Sequence, residues 1–333
     1  MFQNYINKFG FTRILRVSLY FLSACVMLFL SRMFNSFLFS LITALIYVCL
    51  FALFCSHTGF KGAVFIVLPL LAVLFTDGYQ TVLLTLPSLL LASAIGLSMK
   101  SDCRPCESVI ISTVIYSASS LLFNIISVLV GKTFSSPADY FSKISSMLDQ
   151  LFVEAAAIIT ETTGTVINNL NAIMSTAKIL MIGGILSAFL CITIIYYYAT
   201  VLISQLTRDH TIYKGTSLYD IKPSRISAWV YIICFILSSM ISSDVKSEIH
   251  FYTYLPTNIS IILTPIFTFT GIYYLKNIRV KAERKSLAFP LVILIISILL
   301  GMYQLIILYL NYCGLSYTLK REGTRFDISQ SNG

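Results

Sequence analysis

Apolar residues in this chain arrive in long unbroken blocks, separated by short polar or charged stretches. Blocks of that length predict helices. In hydrocarbon every backbone N–H and C=O must be satisfied within its own segment, and about 20 helical residues cross a core of about 30 Å. The blocks read as spans over Ile14–Ser31, Phe34–Cys55, Gly62–Thr76, Tyr79–Met99, Ser108–Val130, Ala177–Gln205, Ile226–Ser243, Tyr252–Leu275 and Leu287–Tyr312. The third is short, and Asp77-Gly78 parts it from the fourth. These two read as a tight hairpin of true spans, with a partly re-entrant pair as the alternative. An outer-membrane barrel would instead show alternating segments of about ten residues. The fold class is therefore all-α, a polytopic transmembrane helix bundle of about eight or nine spans.

The longest connection, Gly131–Thr176, has a pattern of its own. Ser136-Pro137 followed by Asp139 reads as an N-cap, a first-turn proline and an acid in the first turn. Ile144, Leu148, Leu151, Ala155 and Ile158 then recur at helical spacing, with Ser145, Asp149 and Glu154 between them. Gly164 marks a break, and Val166, Ile167, Leu170 and Ile173 lead into the sixth span. This predicts an extramembrane amphipathic helix between spans five and six, lying on the membrane surface or packed on the bundle. The domain reading is one transmembrane helical domain over 1–313, with 132–176 as the external amphipathic segment and 314–333 as a polar C-terminal tail.

Composition sharpens this picture. Hydrophobic residues make up 57% and charged residues 11%, where a soluble domain carries about 25% charged. The formal net charge is +9, but the basic residues gather at the ends of apolar blocks. No basic stripe carries interleaved stacking aromatics, so nucleic acid is excluded as a partner. The basic loops holding Lys100 and Arg104, then Arg208 to Arg225, then Lys276 to Lys285 place the N-terminus in the cytoplasm under the positive-inside rule. Lys320, Arg321 and Arg325 oppose it, because an odd number of spans puts that tail outside. The first block runs into the second with no small-residue cleavage site between them, so no cleavable signal peptide is expected. Five cysteines, Cys25, Cys49, Cys55, Cys191 and Cys234, sit inside apolar blocks and read as small hydrophobes, not a disulfide framework.

The candidate chemistry is sparse. Asp77 is the acid placed deepest by position, and an intramembrane acid is costly and often functional; beside Gly78 it is also an ordinary turn residue. Tyr79 and Gln80 could join it in a polar wall. Asn124 in the fifth span needs a partner for its amide. Tyr196, Tyr197 and Tyr198 lie far from the interfacial belt that Tyr prefers, and consecutive side chains point about 100° apart, so at least one should face protein. The expectation is that Asn124 and at least one of these three face the interior. Lys178 opens the sixth span, where a lysine can snorkel to the interface. Gly183-Gly184 allows close helix approach. Cys103-Arg104-Pro105-Cys106 has metal or redox spacing, but no second pair of ligands accompanies it. There is no phosphate-binding loop, no H-E-x-x-H and no G-x-S-x-G. No catalytic residue, metal or cofactor is expected.

Two stretches carry a family resemblance. One is the Gly59–Leu97 block, with Pro69 and Pro87 in paired hydrophobic segments. The other runs from Arg208 through Ile221-Lys222-Pro223 to Trp229, where a long span ends in Arg, a polar loop carries Pro and the next span opens with Trp. Gly271 before the basic loop fits as well. In these features the chain resembles the YybS-like bacterial membrane proteins, a family of unknown function distantly similar to the substrate-binding S components of energy-coupling-factor transporters. The sequence departs from that pattern after the last span, at Cys313-Gly314-Leu315-Ser316, where an Asp would stand. The resemblance implies a multi-pass protein of the bacterial cytoplasmic (inner) membrane. The many spans and the lack of a nucleotide-binding motif read as a transporter-like protein that binds a small molecule without an ATPase of its own, so that a separate energising subunit or an ion gradient would have to drive transport. The alternatives are a structural or regulatory membrane protein acting through partner contacts, and an intramembrane enzyme.

Overall fold

In the computed structural model, residues 2–33, 37–101, 103–130, 137–163, 170–207, 221, 223–241, 254–281 and 303–320 are described. Among them the regular structure is helical throughout: α1 (Phe2–Met33), α2 (Phe37–Thr58), α3 (Phe60–Phe65), α4 (Val67–Asp77), α5 (Tyr79–Lys100), α6 (Pro105–Val130), α7 (Pro137–Thr163), α8 (Leu170–Leu206), α9 (Arg225–Ile241), α10 (Leu255–Lys281) and α11 (Tyr303–Lys320). By length and composition, 7 described segments can cross a membrane: Ile14–Ser31, Leu38–Thr58, Phe60–Asp77, Tyr79–Lys100, Pro105–Ser127, Thr176–Leu206 and Leu255–Leu275. Arg225–Met240 and Ile306–Leu319 are shorter apolar helices. The chain is an all-α polytopic bundle.

Two boundaries move. The last span, expected over Leu287–Tyr312, falls mostly outside the described residues; the described helix α11 continues past Tyr312 to Lys320. The polar tail expected from 314 is therefore helical at its start, because Gly314 and Leu315 pack on α10. The third span is broken once, at Ile66, into α3 and α4. Pro69 explains the break: it has no N–H for the Phe65 carbonyl, and its ring clashes with that carbonyl in a continuous helix. The Gly164 break lies outside the described residues.

The chain divides into two compact units, Met1–Ser142 with Phe189–Leu218, and Lys143–Ala188 with Tyr219–Gly333. In the first unit α2 and α5 form the centre. Val48, Cys49, Phe51, Leu53 and Cys55 of α2 and Leu89, Leu91, Ala92 and Ile95 of α5 are fully buried. Gly96 lets the two backbones approach, since a Cβ there would strike the Ala52 carbonyl oxygen. Small residues at such crossings are how helices associate where lipid removes the hydrophobic drive. α1 packs on α2 through Phe21, whose ring lies 5.0 Å from that of Phe54. Gly78, at φ 83°, makes the α4–α5 turn, a left-handed conformation that an L side chain resists. α6 opens on Pro105, and the Glu107 carboxylate accepts the Arg104 N–H at 3.2 Å, closing one of the open donors at a helix start.

In the second unit α9, α10 and α11 meet around Ala228, Tyr231 and Phe267, with Leu263, Leu315 and Leu319 packed against them. The rings of Tyr231 and Phe267 are 4.9 Å apart. Thr268 donates to the Asn311 side chain at 2.9 Å, and Thr270 donates to the Ile221 carbonyl at 2.8 Å. α7 begins at Pro137 with Asp139 in its first turn, as its sequence predicts.

Candidate functional site

The residues singled out by sequence divide into three groups. Asp77, Tyr79 and Gln80 are all exposed at the Gly78 turn. Asp77 ends α4 and Tyr79 opens α5, and the Asp77 carbonyl accepts Thr81 Oγ1 at 3.2 Å. Asn124 is also exposed. That corrects the expectation of an inward amide: Asn124 Nδ2 donates to the Ser120 carbonyl of its own helix at 2.7 Å, and this back-bond takes the place of a cross-helix partner.

The tyrosine triplet behaves differently. Tyr197 is 1% exposed, and its ring meets that of Tyr198 edge-on at 6.1 Å. Tyr196 is half-buried. Its carbonyl accepts Thr200 Oγ1 at 2.8 Å and the Cys49 thiol at 3.7 Å. Tyr47 pairs with Ser88 Oγ at 2.8 Å, and Tyr116 packs edge-on against Phe189 at 5.1 Å. One helical turn before Tyr116, the Ser112 hydroxyl is buried with no hydrogen-bond partner among the described residues. An unsatisfied buried hydroxyl costs about 1–3 kcal/mol.

Four helices of the first unit thus bring polar atoms to one level. At about 1.5 Å per residue, Tyr47 lies about 17 Å from the Thr58 end of α2 and Ser88 about 18 Å from the Lys100 end of α5. Tyr116 lies about 17 Å from the Pro105 end of α6 and Tyr196 about 15 Å from the Leu206 end of α8. Half the thickness of a hydrocarbon core is about 15 Å. Pro87, next to Ser88, adds to the polarity, because it cannot donate to the Leu83 carbonyl. This belt presents hydroxyls and ring faces; it contains no carboxylate, imidazole or amine for proton transfer. Sequence alone did not single out Tyr47, Ser88, Ser112 or Tyr116. A Tyr or Ser in an apolar block is common, and no local spacing links these four.

The second unit has a different polar centre. Asn258 of α10 is 4% exposed. Its Oδ1 accepts the Gly183 N–H at 2.9 Å, and its Nδ2 donates to the Ile179 carbonyl at 3.2 Å. Gly183 and Ile179 are the donor and acceptor of one α-helical turn, so the carboxamide bridges a rung of α8. Just before this rung, Lys178 Nζ binds Asp149 of α7, at 2.7 Å to Oδ1 and 2.8 Å to Oδ2. Lys178 is therefore an ion-paired residue, not only a snorkelling one. An outward groove of about 390 Å³ between α9 and α10 is lined mainly by Ile226, Val230, Ile259 and Ile262, with Ser224 and Ser227 as its polar lining; it offers apolar contact and no reactive group.

All eight cysteines are free, including Cys103 and Cys106. Among the described residues no group of three or more His, Cys, Asp or Glu is placed to hold a metal ion. His57 stacks on Tyr20 at 6.0 Å, and Tyr20 pairs with Thr207 at 2.8 Å.

No curated protein and no solved structure matches the chain. A family model does match, over residues 22–311, which takes in the phenol belt, the Asn258 bridge and the Lys178–Asp149 pair. The chain therefore belongs to the family described as predicted membrane protein, DUF2232.

Proposed function

We propose that this membrane protein binds a small molecule at mid-membrane depth in its first unit, as a transporter-like component of the bacterial inner membrane with its N-terminus in the cytoplasm. The observation that carries this reading is that Tyr47, Ser88, Tyr116 and Tyr196 stand at one depth along their helices, with the buried Ser112 hydroxyl one turn away. Transporter sites lie near the bilayer midplane, where free backbone polarity helps to hold a ligand, and Pro87 inside α5 leaves the Leu83 carbonyl without its helical donor. The ligand class that fits is a neutral, partly aromatic molecule with hydrogen-bonding atoms, since the belt has hydroxyls and ring faces but no charge. The sequence has no nucleotide-binding loop, so uptake driven by ATP would need a separate subunit.

Native mass spectrometry of the purified protein tests this. The expected spectrum shows an added small-molecule mass in the natural protein that is lost in the Tyr196→Phe, Ser112→Ala double variant. Bare polypeptide mass from both proteins, together with no thermal stabilisation by any small molecule screened, would sink the reading.

A further inference from the structure

We infer that α7 is a membrane-surface helix whose Met147–Leu151–Ala155 stripe docks into the lipid interface of the leaflet that holds Lys178 of α8. Three observations carry this.

The first is the stripe itself. Met147 and Leu151 are 54% and 60% exposed. Ala155 and Ile158 are exposed on the same side. At 100° per residue these four lie within an arc of about 80°. Val153 is exposed off this arc.

The second is depth. The 31-residue segment Thr176–Leu206 is about 46 Å long at 1.5 Å per residue. A hydrocarbon core is about 30 Å thick, and about 40–45 Å with its headgroups. Lys178, two residues from the start of that segment, therefore stands at headgroup level. The ion pair with Asp149 holds the middle of α7 at the same level.

The third is charge. Asp149 lies about 160° around the helix from Leu151, so the ion pair engages the flank away from the stripe. α7 carries Asp139, Asp149, Glu154 and Glu161 against Lys143 alone. Such a helix has no electrostatic attraction to anionic lipid, so apolar insertion must supply its binding. The occupant of the stripe is the headgroup–acyl boundary of the bilayer. A second copy of the chain or a soluble partner is an alternative outcome of the test.

The test uses full-length protein in phosphatidylcholine vesicles. Trp229 is the one tryptophan, so Trp229→Phe provides a silent background. Leu151→Trp then reports from the stripe, and Ser146→Trp reports from about 140° away; both positions are exposed, so neither substitution disturbs a core. The inference expects blue-shifted emission from Leu151→Trp, strong quenching by lipids brominated near the headgroup and weak quenching by iodide. The Ser146→Trp protein should show the reverse. Red emission quenched by iodide in the Leu151→Trp protein overturns the inference. Blue emission that brominated lipid leaves unquenched also overturns it, because protein would then cover the stripe. Neither result bears on the phenol belt of the first unit.

Discussion

Gly314 of α11 faces Gly271 of α10 so closely that a Cβ on Gly314 would lie 3.0 Å from the Gly271 nitrogen and would strike the Phe267 carbonyl oxygen. The relationship is reciprocal: a Cβ on Gly271 would strike the Leu310 carbonyl oxygen. Both obstructions are backbone, which cannot rotate away as a side chain can.

Substituting either glycine by alanine should therefore destabilise the second unit. Alanine gains up to about 1 kcal/mol of helix propensity, but overpacking against rigid backbone costs about 1–3 kcal/mol, so the clash wins. Gly271→Ala and Gly314→Ala should each lower the midpoint of thermal unfolding in detergent, and the double variant should fall short of additivity because both force the same pair of helices apart. An unchanged midpoint in both single variants would mean that α10 and α11 do not cross at these positions.

Much of this architecture is legible in the sequence because one physical fact dominates it. Hydrocarbon demands helices, so each long apolar block becomes one, and Pro137 and Gly78 mark their boundaries as local chemistry requires. Depth and partners are less legible. Asn124 looks like a group in need of another helix, yet its own helix supplies the Ser120 carbonyl. The sequence does show that Tyr196, Tyr197 and Tyr198 cannot all face lipid. It does not show that Tyr47 and Tyr116, from distant blocks, complete the belt, because no local spacing links them. The tail beyond Tyr312 is too polar to read as a span, but tertiary packing of Gly314 and Leu315 keeps it helical.

Adjacent glycines give a sharper test. A Cβ on Gly183 would lie 2.5 Å from Asn258 Oδ1 and 3.0 Å from its Cα, whereas a Cβ on Gly184 would meet nothing within 4 Å. Gly184→Ala should be neutral or raise stability by up to about 1 kcal/mol through helix propensity. Gly183→Ala should lower it, because it displaces the Asn258 bridge. Equal effects at the two positions, read from thermal unfolding, would contradict the α8–α10 contact.

The bridge itself predicts an order among Asn258 variants. Hydrogen bonds between membrane helices are worth about 0.6 kcal/mol on average and at most about 1.7 kcal/mol. Asn258→Ala should cost in that range, because α8 can close its own rung from Gly183 to Ile179. Asn258→Asp should cost more near neutral pH. The carboxylate accepts from Gly183 but sets its second oxygen against the Ile179 carbonyl, and it brings a charge into the span. An Asp variant no less stable than the Ala variant, read from thermal unfolding, would refute the bridge.

The Lys178–Asp149 pair should be weak, and its weakness is informative. The side chains are 34% and 37% exposed. Losing one partner from a fully buried pair costs about 3–5 kcal/mol, because a bare charge is left without water. Here water or headgroups can reach the survivor, so Lys178→Met and Asp149→Asn should each cost under about 1 kcal/mol. A double-mutant cycle should return a coupling of about 0.2–1 kcal/mol that shrinks in high salt. The clearer readout is local. Either substitution should raise protease cleavage and hydrogen exchange within α7 while leaving α9 to α11 unchanged, because the pair fastens α7 to α8 and touches neither the Tyr231–Phe267 core nor the glycine crossing. The exchanged pair, Lys178→Asp with Asp149→Lys, should restore protection. Protection of α7 that survives both single substitutions would mean that the ion pair does not hold it.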